Sequence, residues 1–149
     1  MMDLILWRHA EAADGVPDLA RELTAKGTKQ AAKVAAFLNR HLPSHCRILV
    51  SPATRTQQTV AALTSHFNLA PTISPGASAE AVLHAARWPD AGGTVLVVGH
   101  QPTLGDVAAQ LLGCDGETLS IKKGAIWWFS QREGSAQVAL RLMITPEFL

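Results

Sequence analysis

Short apolar runs of the kind found in buried strands alternate along this chain with stretches of helical periodicity. Residues 93–99 read Gly-Thr-Val-Leu-Val-Val-Gly, an apolar run typical of a strand that is buried on both faces. Residues 3–7 and 47–51 have a similar character, and a helical pattern follows each of the three runs. This alternation predicts an α/β fold in which two layers of helices cover a mostly parallel central sheet.

The helix ends and the tail complete the predicted order of elements. The pattern predicts a helix over 25–41, with Thr24 as its N-cap and Pro43 as a stop. Further helices are predicted over 54–67, from Ser78 or Ala79 to 87, and over 102–112, and 72–74 is predicted to be a short strand. Residues 125–130 and 136–144 resemble two strands of a hairpin, so the sheet is predicted to end in an antiparallel edge.

Length, charge and cysteine usage narrow the class of protein. The chain has 149 residues without a linker, a repeat or a low-complexity tract, so we expect residues 1–149 to form a single domain. A net charge of +1 argues against nucleic acid or an anionic membrane as a general partner. The two cysteines have no metal-ligand spacing, and the apolar segment before Arg8 is too short for a signal peptide. We therefore expect reduced thiols and a cytoplasmic protein.

Basic residues follow three of the predicted strands. Arg8 and His9 come directly after the first strand, and His100 follows the run at 93–99. Arg55 lies in the first turn of the helix that begins after Ser51-Pro52, at the end of the second strand. Because ligands in such sheets bind outside the carboxyl ends of the strands, we expect these four side chains to converge.

This combination of residues suits a phosphoryl group. The guanidinium forks of Arg8 and Arg55 match phosphate oxygens, and a neutral His9 can attack phosphorus to form a covalent phosphohistidine. His100 can donate a hydrogen bond to an equatorial oxygen as charge builds up. Phosphoryl transfer depends chiefly on positioning and electrostatics, which these groups supply, so we expect neither a metal nor another cofactor.

These motifs resemble the histidine phosphatase superfamily. They are Leu-Trp-Arg-His-Ala-Glu at 6–11, Ser-Pro at 51–52 with Arg55, and Val-Gly-His at 98–100, although the usual Arg-His-Gly is Arg-His-Ala here. The short chain and the segments 21–24 and 50–59 are most similar to SixA-type phosphohistidine phosphatases. The resemblance implies a phosphoglycerate mutase-like sheet, no metal, His9 as nucleophile, and phosphate ligands at Arg8, Arg55 and His100. It also implies that Arg21 lies near the pocket and reaches the substrate.

One departure from the family pattern concerns the leaving group. Family members that act on phosphate esters usually carry an acidic residue after the third strand, whereas this segment reads Ser-Pro-Gly-Ala-Ser-Ala-Glu at 74–80. Glu80 is the nearest carboxylate and the one candidate proton donor. An alkoxide needs such a proton, but an imidazole departs easily once solvent protonates its ring. The sequence therefore favours phosphohistidine on a signalling or phosphocarrier protein as the substrate.

Two other functions fit the same residues. One is a phosphatase for a small phosphoester, with Glu80 or water as the proton donor. The other is a noncatalytic module that binds phosphate or phosphohistidine, because groups that stabilise a transition state also bind the ground state. Trp127 and Trp128 are adjacent in a predicted strand, so they are expected to face opposite sides, and an exposed one would suit contact with a partner protein.

Overall fold

The computed structural model describes residues 1–114 and 116–149 and contains one six-stranded sheet. The strands are β1 (Met2–Arg8), β2 (Cys46–Val50), β3 (Asn68–Leu69), β4 (Gly93–Gly99), β5 (Ile126–Gln131) and β6 (Val138–Ile144). Their order across the sheet is β3-β2-β4-β1-β5-β6. The first four strands are mutually parallel, and β5 pairs antiparallel with both β1 and β6. The mostly parallel sheet with an antiparallel edge is therefore confirmed.

Four helices cover the two faces of this sheet. They are α1 (Ala25–His41), α2 (Thr54–Ala61), α3 (Ala79–Ala86) and α4 (Thr103–Leu111). The predicted cap of α1 is present, because the Thr24 hydroxyl accepts a hydrogen bond from the Gly27 N–H. The Ser78 hydroxyl caps α3 in the same way, accepting from the Ala81 N–H.

The side chains of β1 alternate between two separate cores. Leu4 and Leu6 pack with Val82 of α3 and Val107 of α4 on one face. On the other face, Ile5 and Trp7 join a core formed by side chains of both α1 and α2, including Val34, Leu38 and Val60. Because both faces of the central strand are buried, the fold has the three layers that the sequence predicts.

Two local predictions were wrong. The helix α2 ends at Ala61 and not at residue 67, and the Thr64 hydroxyl accepts the His66 N–H there, a local bond that competes with helix formation. The strand predicted at 72–74 is a single 3-10 turn over Pro71–Ile73, and the strand beside β2 is Asn68–Leu69. Proline fixes φ and has no N–H to donate, so Pro71 starts a turn after the strand.

The two adjacent tryptophans face opposite sides, as predicted. Trp128 is buried against the α1 side, and its indole N–H donates to the Asp3 carboxylate at 2.9 Å. Trp127 is partly buried against the other core, so neither ring is exposed. Within residues 1–114 and 116–149, no helix has the length and apolar character needed to cross a membrane.

Candidate active site

The register of the parallel strands brings three strand ends together. Arg8 pairs with Gly99 across β1 and β4, and Val50 pairs with Val98 across β2 and β4. Beyond the strands, the His9 N–H donates to the Gly99 carbonyl at 3.1 Å. The sheet therefore carries His9 and His100 on neighbouring strand ends, with ring centroids 5.3 Å apart.

His9 is held as a neutral imidazole with one nitrogen available. His9 is 8% exposed, and its Nδ1 lies 2.8 Å from the Ala10 carbonyl oxygen. A carbonyl oxygen only accepts, so Nδ1 carries the proton and Nε2 carries the lone pair. Burial, with the charges of Arg55 and Arg8, lowers the pKa of His9 to about 4, against the opposing effect of the Ala10 hydrogen bond. At neutral pH, Nε2 is therefore unprotonated, and its lone pair is directed away from the Ala10 carbonyl.

His100 is buried more deeply and is fixed by Ser51. Its Nε2 lies 2.8 Å from the Ser51 hydroxyl, which already accepts the Ala53 N–H at 3.4 Å. The Ser51 proton is thus free to donate to Nε2, which leaves the ring proton of His100 on Nδ1. Burial and the neighbouring His9 and Arg55 lower the pKa of His100 to about 3.

The two arginines enter from different elements. Arg55, in the first turn of α2, is 5% exposed, and its Nη1 and Nη2 donate to the Asp18 carbonyl and carboxylate at 2.9 and 3.2 Å. Arg8, at the end of β1, donates from Nη1 to the Ile121 carbonyl at 2.8 Å. Each guanidinium is thus anchored on one edge while its Nε remains available.

Three buried nitrogens at this site have no hydrogen-bond partner among the described residues. They are Arg8 Nε, Arg55 Nε and His100 Nδ1. Buried polar atoms are normally satisfied, and three unsatisfied donors grouped at one site require a partner outside the protein, such as a bound anion or ordered water. Two guanidinium donors and an imidazole donor beside His9 match the oxygens of a phosphoryl group.

Arg21 lies at the rim of the site and is connected to Arg55 through an acidic residue that the sequence analysis missed. Asp18 accepts from Arg21 Nη1 at 3.1 Å through Oδ1, while its Oδ2 accepts from Arg55. The hydrogen bond from Arg21 lowers the pKa of Asp18 most, and the hydrogen bond from Arg55 lowers it further. The only signal in the sequence is an acidic residue three positions before Arg21.

A second missed residue supports the loop that follows His9. The buried Thr59 hydroxyl accepts the Ala10 N–H at 3.0 Å and donates to the Arg55 carbonyl at 2.7 Å. The Ala10 carbonyl orients the His9 ring, so Thr59 of α2 helps to hold that orientation by fixing the Ala10 backbone. A threonine inside a helix is an ordinary residue in sequence, so no pattern indicates this contact.

The structure does not bring Glu80 to this group. Glu80 is exposed in the first turn of α3 and lines a cavity with Asp106 and Thr118, which none of the four basic residues lines. In the part of the chain that the structure describes, no three His, Cys, Asp or Glu side chains are placed to hold a metal ion. Cys46 and Cys114 are free thiols.

Comparison with known proteins agrees with this geometry. The family model for the histidine phosphatase superfamily (branch 1) matches residues 4–78. This segment includes Arg8, His9 and Arg55. The chain therefore belongs to the histidine phosphatase superfamily, and phosphatase is its class of activity.

Relatives define the group within that superfamily. The phosphohistidine phosphatase SixA homolog of Haemophilus influenzae is 34% identical over 128 residues, covering 75% of this chain and 78% of that protein. Phosphohistidine phosphatase SixA of Escherichia coli is 32% identical over 132 residues, covering 78% and 77%. A structure of the protein histidine phosphatase SixA complexed with tungstate superposes with a TM-score of 0.82 at 26% identity, covering 99% of both chains. The chain is a SixA-type member, and its predicted phosphoglycerate mutase-like fold is confirmed.

Proposed function

We propose that this protein hydrolyses phosphohistidine carried by another protein, through a covalent phosphohistidine intermediate on His9. The observation that carries the proposal is the state of the His9 ring. Nδ1 donates to Ala10, Nε2 makes no hydrogen bond with any described residue, and burial keeps the ring neutral. A neutral, oriented imidazole beside unsatisfied phosphate donors is arranged for in-line attack on phosphorus.

The reaction consists of two displacements. In the first, the Nε2 lone pair of His9 forms a bond to phosphorus, and the bond from phosphorus to the substrate imidazole breaks with its electron pair. The departing nitrogen takes a proton from solvent. In the second, water attacks phosphorus, loses a proton to solvent, and displaces His9 with its electron pair on Nε2. The products are inorganic phosphate and an unmodified histidine on the substrate protein.

The phosphoryl oxygens are held by the donors that lack partners within the protein. Arg8 Nε and Arg55 Nε carry fixed positive charge, and His100 Nδ1 donates as charge develops on the equatorial oxygens. These donors are preorganised, because Asp18 and Ile121 anchor the two guanidinium groups and Ser51 orients His100. Charge stabilisation of this kind is the main contribution that phosphoryl transfer requires.

The choice of phosphohistidine over a phosphate ester depends on the leaving group. Within the described residues, Glu80 is the only candidate acid from the sequence, and it lies exposed along a different cavity. The carboxylate at the site itself, Asp18, accepts from Arg21 and Arg55, and these hydrogen bonds lower its pKa, so it is a poor acid. An ester oxygen would therefore have to leave without an effective protein proton donor, whereas a protonated imidazole is a good leaving group. The relatives named SixA and the tungstate complex, in which an oxyanion is bound, support the same assignment.

The test compares substrates that differ in the leaving group. We would measure phosphate release from a phosphohistidine protein, free phosphohistidine, an aryl phosphate and a sugar phosphate, all in chelator. We expect turnover of both phosphohistidine substrates, and a loss on the order of 10³-fold in His9→Ala. The exposed His45 provides the matched control, because His45→Ala removes a histidine away from the site.

Each alternative has its own signature in this experiment. Equal or faster turnover of the sugar phosphate would overturn the proposal in favour of a small-molecule phosphatase. Binding of phosphohistidine without release of phosphate would indicate a noncatalytic module. Full activity of His9→Ala would exclude the covalent mechanism.

A further inference from the structure

All five lysines of this chain line a single cavity beside the site. They are Lys26, Lys29, Lys33, Lys122 and Lys123. The cavity has a volume of about 800 Å³, and Arg8 forms part of its wall. We refer to these five residues as the lysine surface.

The fold brings the lysine surface together from two separate segments. Lys26, Lys29 and Lys33 are spaced three and four residues apart, so they share one face of α1 and span roughly 10 Å along its axis. Lys122 and Lys123 are exposed in the loop before β5. That loop also contains Ile121, whose carbonyl accepts from Arg8, so the lysine surface borders the candidate phosphate site directly.

The positive charge on this surface is only partly offset by nearby acidic groups. None of the five ammonium groups forms a salt bridge with a residue that the structure describes. Two carboxylates, those of Glu11 and Glu147, also line the cavity, and each accepts a hydrogen bond from a neutral threonine hydroxyl. Six cationic side chains thus stand against two acidic ones in a chain whose net charge is only +1.

We infer that the lysine surface docks an acidic patch on the protein domain that carries the phosphohistidine, an inference that rests on the proposed function. Lysine ammoniums are mobile point charges without the paired geometry of guanidinium, which suits dispersed carboxylates better than one phosphate. Their spread also exceeds the reach of a single phosphate group. No aromatic ring lines the cavity among the described residues, which disfavours single-stranded nucleic acid, whose bases stack on such rings.

Docking of this kind acts mainly on the rate of encounter. Complementary charge steers two proteins together, and the effect falls as salt is added. The value of kcat/KM for the phosphohistidine protein should therefore fall as ionic strength rises. Free phosphohistidine carries only its own phosphoryl and carboxylate charges and no acidic patch, so its hydrolysis should depend much less on the lysine surface.

The experiment reverses two charges on this surface and two elsewhere. The variant Lys29→Glu/Lys123→Glu is compared with Arg40→Glu/Arg132→Glu, in which both original side chains are exposed and lie outside the cavity. At low salt we expect kcat/KM of the lysine variant for the phosphohistidine protein to be about tenfold or more below that of wild type. The kcat/KM of this variant should also depend much less on salt than that of wild type. The arginine variant should stay within about threefold of wild type on the protein substrate. Both variants should hydrolyse free phosphohistidine within about threefold of the wild-type rate.

Several results would overturn the docking inference, and they differ from failure of the proposed function. Equal activity of the two variants on the protein substrate would refute docking while His9-dependent hydrolysis of free phosphohistidine still stood. Equal losses on both substrates would show that the lysines act on the chemistry. Binding of RNA or DNA by the lysine surface, with no effect on the protein substrate, would identify a different partner. Absence of hydrolysis of either substrate by wild type would refute the function and the docking together.

Discussion

Burial of His9 as a neutral ring should make the protein less stable in mild acid. Its pKa of about 4 in the folded protein lies below the ordinary value of 6.5. Between these two values the unfolded chain binds a proton that the folded chain excludes, so the free energy of unfolding falls as the pH falls. At about pH 4.5 this difference corresponds to about 2–3 kcal/mol of lost stability relative to neutral pH.

The variant His9→Asn should escape most of this loss. Asparagine does not titrate, and its amide nitrogen can keep the hydrogen bond to the Ala10 carbonyl that Nδ1 makes. Urea unfolding, followed through the fluorescence of the four tryptophans, would give the free energy of unfolding at about pH 7.5 and about pH 4.5. We expect the decrease between these two pH values to be smaller in the variant by about 2–3 kcal/mol.

A histidine outside the site serves as the control. His45 is exposed in the turn before β2, and His45→Asn should lose as much stability in acid as wild type does. Parallel pH dependences for wild type and His9→Asn would refute the conclusion that His9 is held neutral by burial. The mechanism proposed for His9 would then lose its main physical support.

Three further substitutions test how the site is held. Arg55→Ala should weaken the binding of inorganic phosphate about tenfold or more. Arg55→Lys should recover little of this loss, because an ammonium cannot donate to Asp18 and to the phosphate in the fixed geometry of a guanidinium. Unchanged phosphate affinity would exclude Arg55 as a phosphate ligand. Gly27→Ala would place a Cβ against the Glu11 carbonyl, so the free energy of unfolding in urea should fall by about 2 kcal/mol or more, although alanine normally favours a helix. An increase in the free energy of unfolding would show that the loop at Glu11 moves to make room. Ser51→Ala removes the hydrogen-bond partner of His100 Nε2, so kcat should fall about tenfold while KM stays nearly constant. A change in KM alone would show that Ser51 contributes to substrate binding instead.

The sequence was sufficient to place the four basic residues because topology determines where they meet. Parallel strands end at the same edge of a sheet, so Arg8, His9 and His100 converge wherever the register puts β1 beside β4. Arg55 follows from the short connection between β2 and α2. No detail of packing was needed for these positions.

The supporting contacts depend on loop conformation, which periodicity does not describe. Asp18 and Arg55 are 37 residues apart in sequence, and they meet because the segment before α1 folds back over α2. Thr59 reaches Ala10 across 49 residues. The short strand at Asn68–Leu69 was missed because two residues are too few to show an alternating pattern. The strand that was predicted at 72–74 is instead the 3-10 turn that Pro71 begins.

The most direct test of the central proposal is to capture the phosphorylated enzyme. Wild type would be mixed with a phosphohistidine protein in chelator, quenched in alkali, where phosphohistidine survives, and digested for mass spectrometry. We expect one phosphoryl group on the peptide that contains His9. In His9→Ala we expect no phosphopeptide and turnover reduced on the order of 10³-fold. Turnover by His9→Ala at the wild-type rate, or a phosphoryl group on any other residue, would contradict the assignment of His9 as the nucleophile.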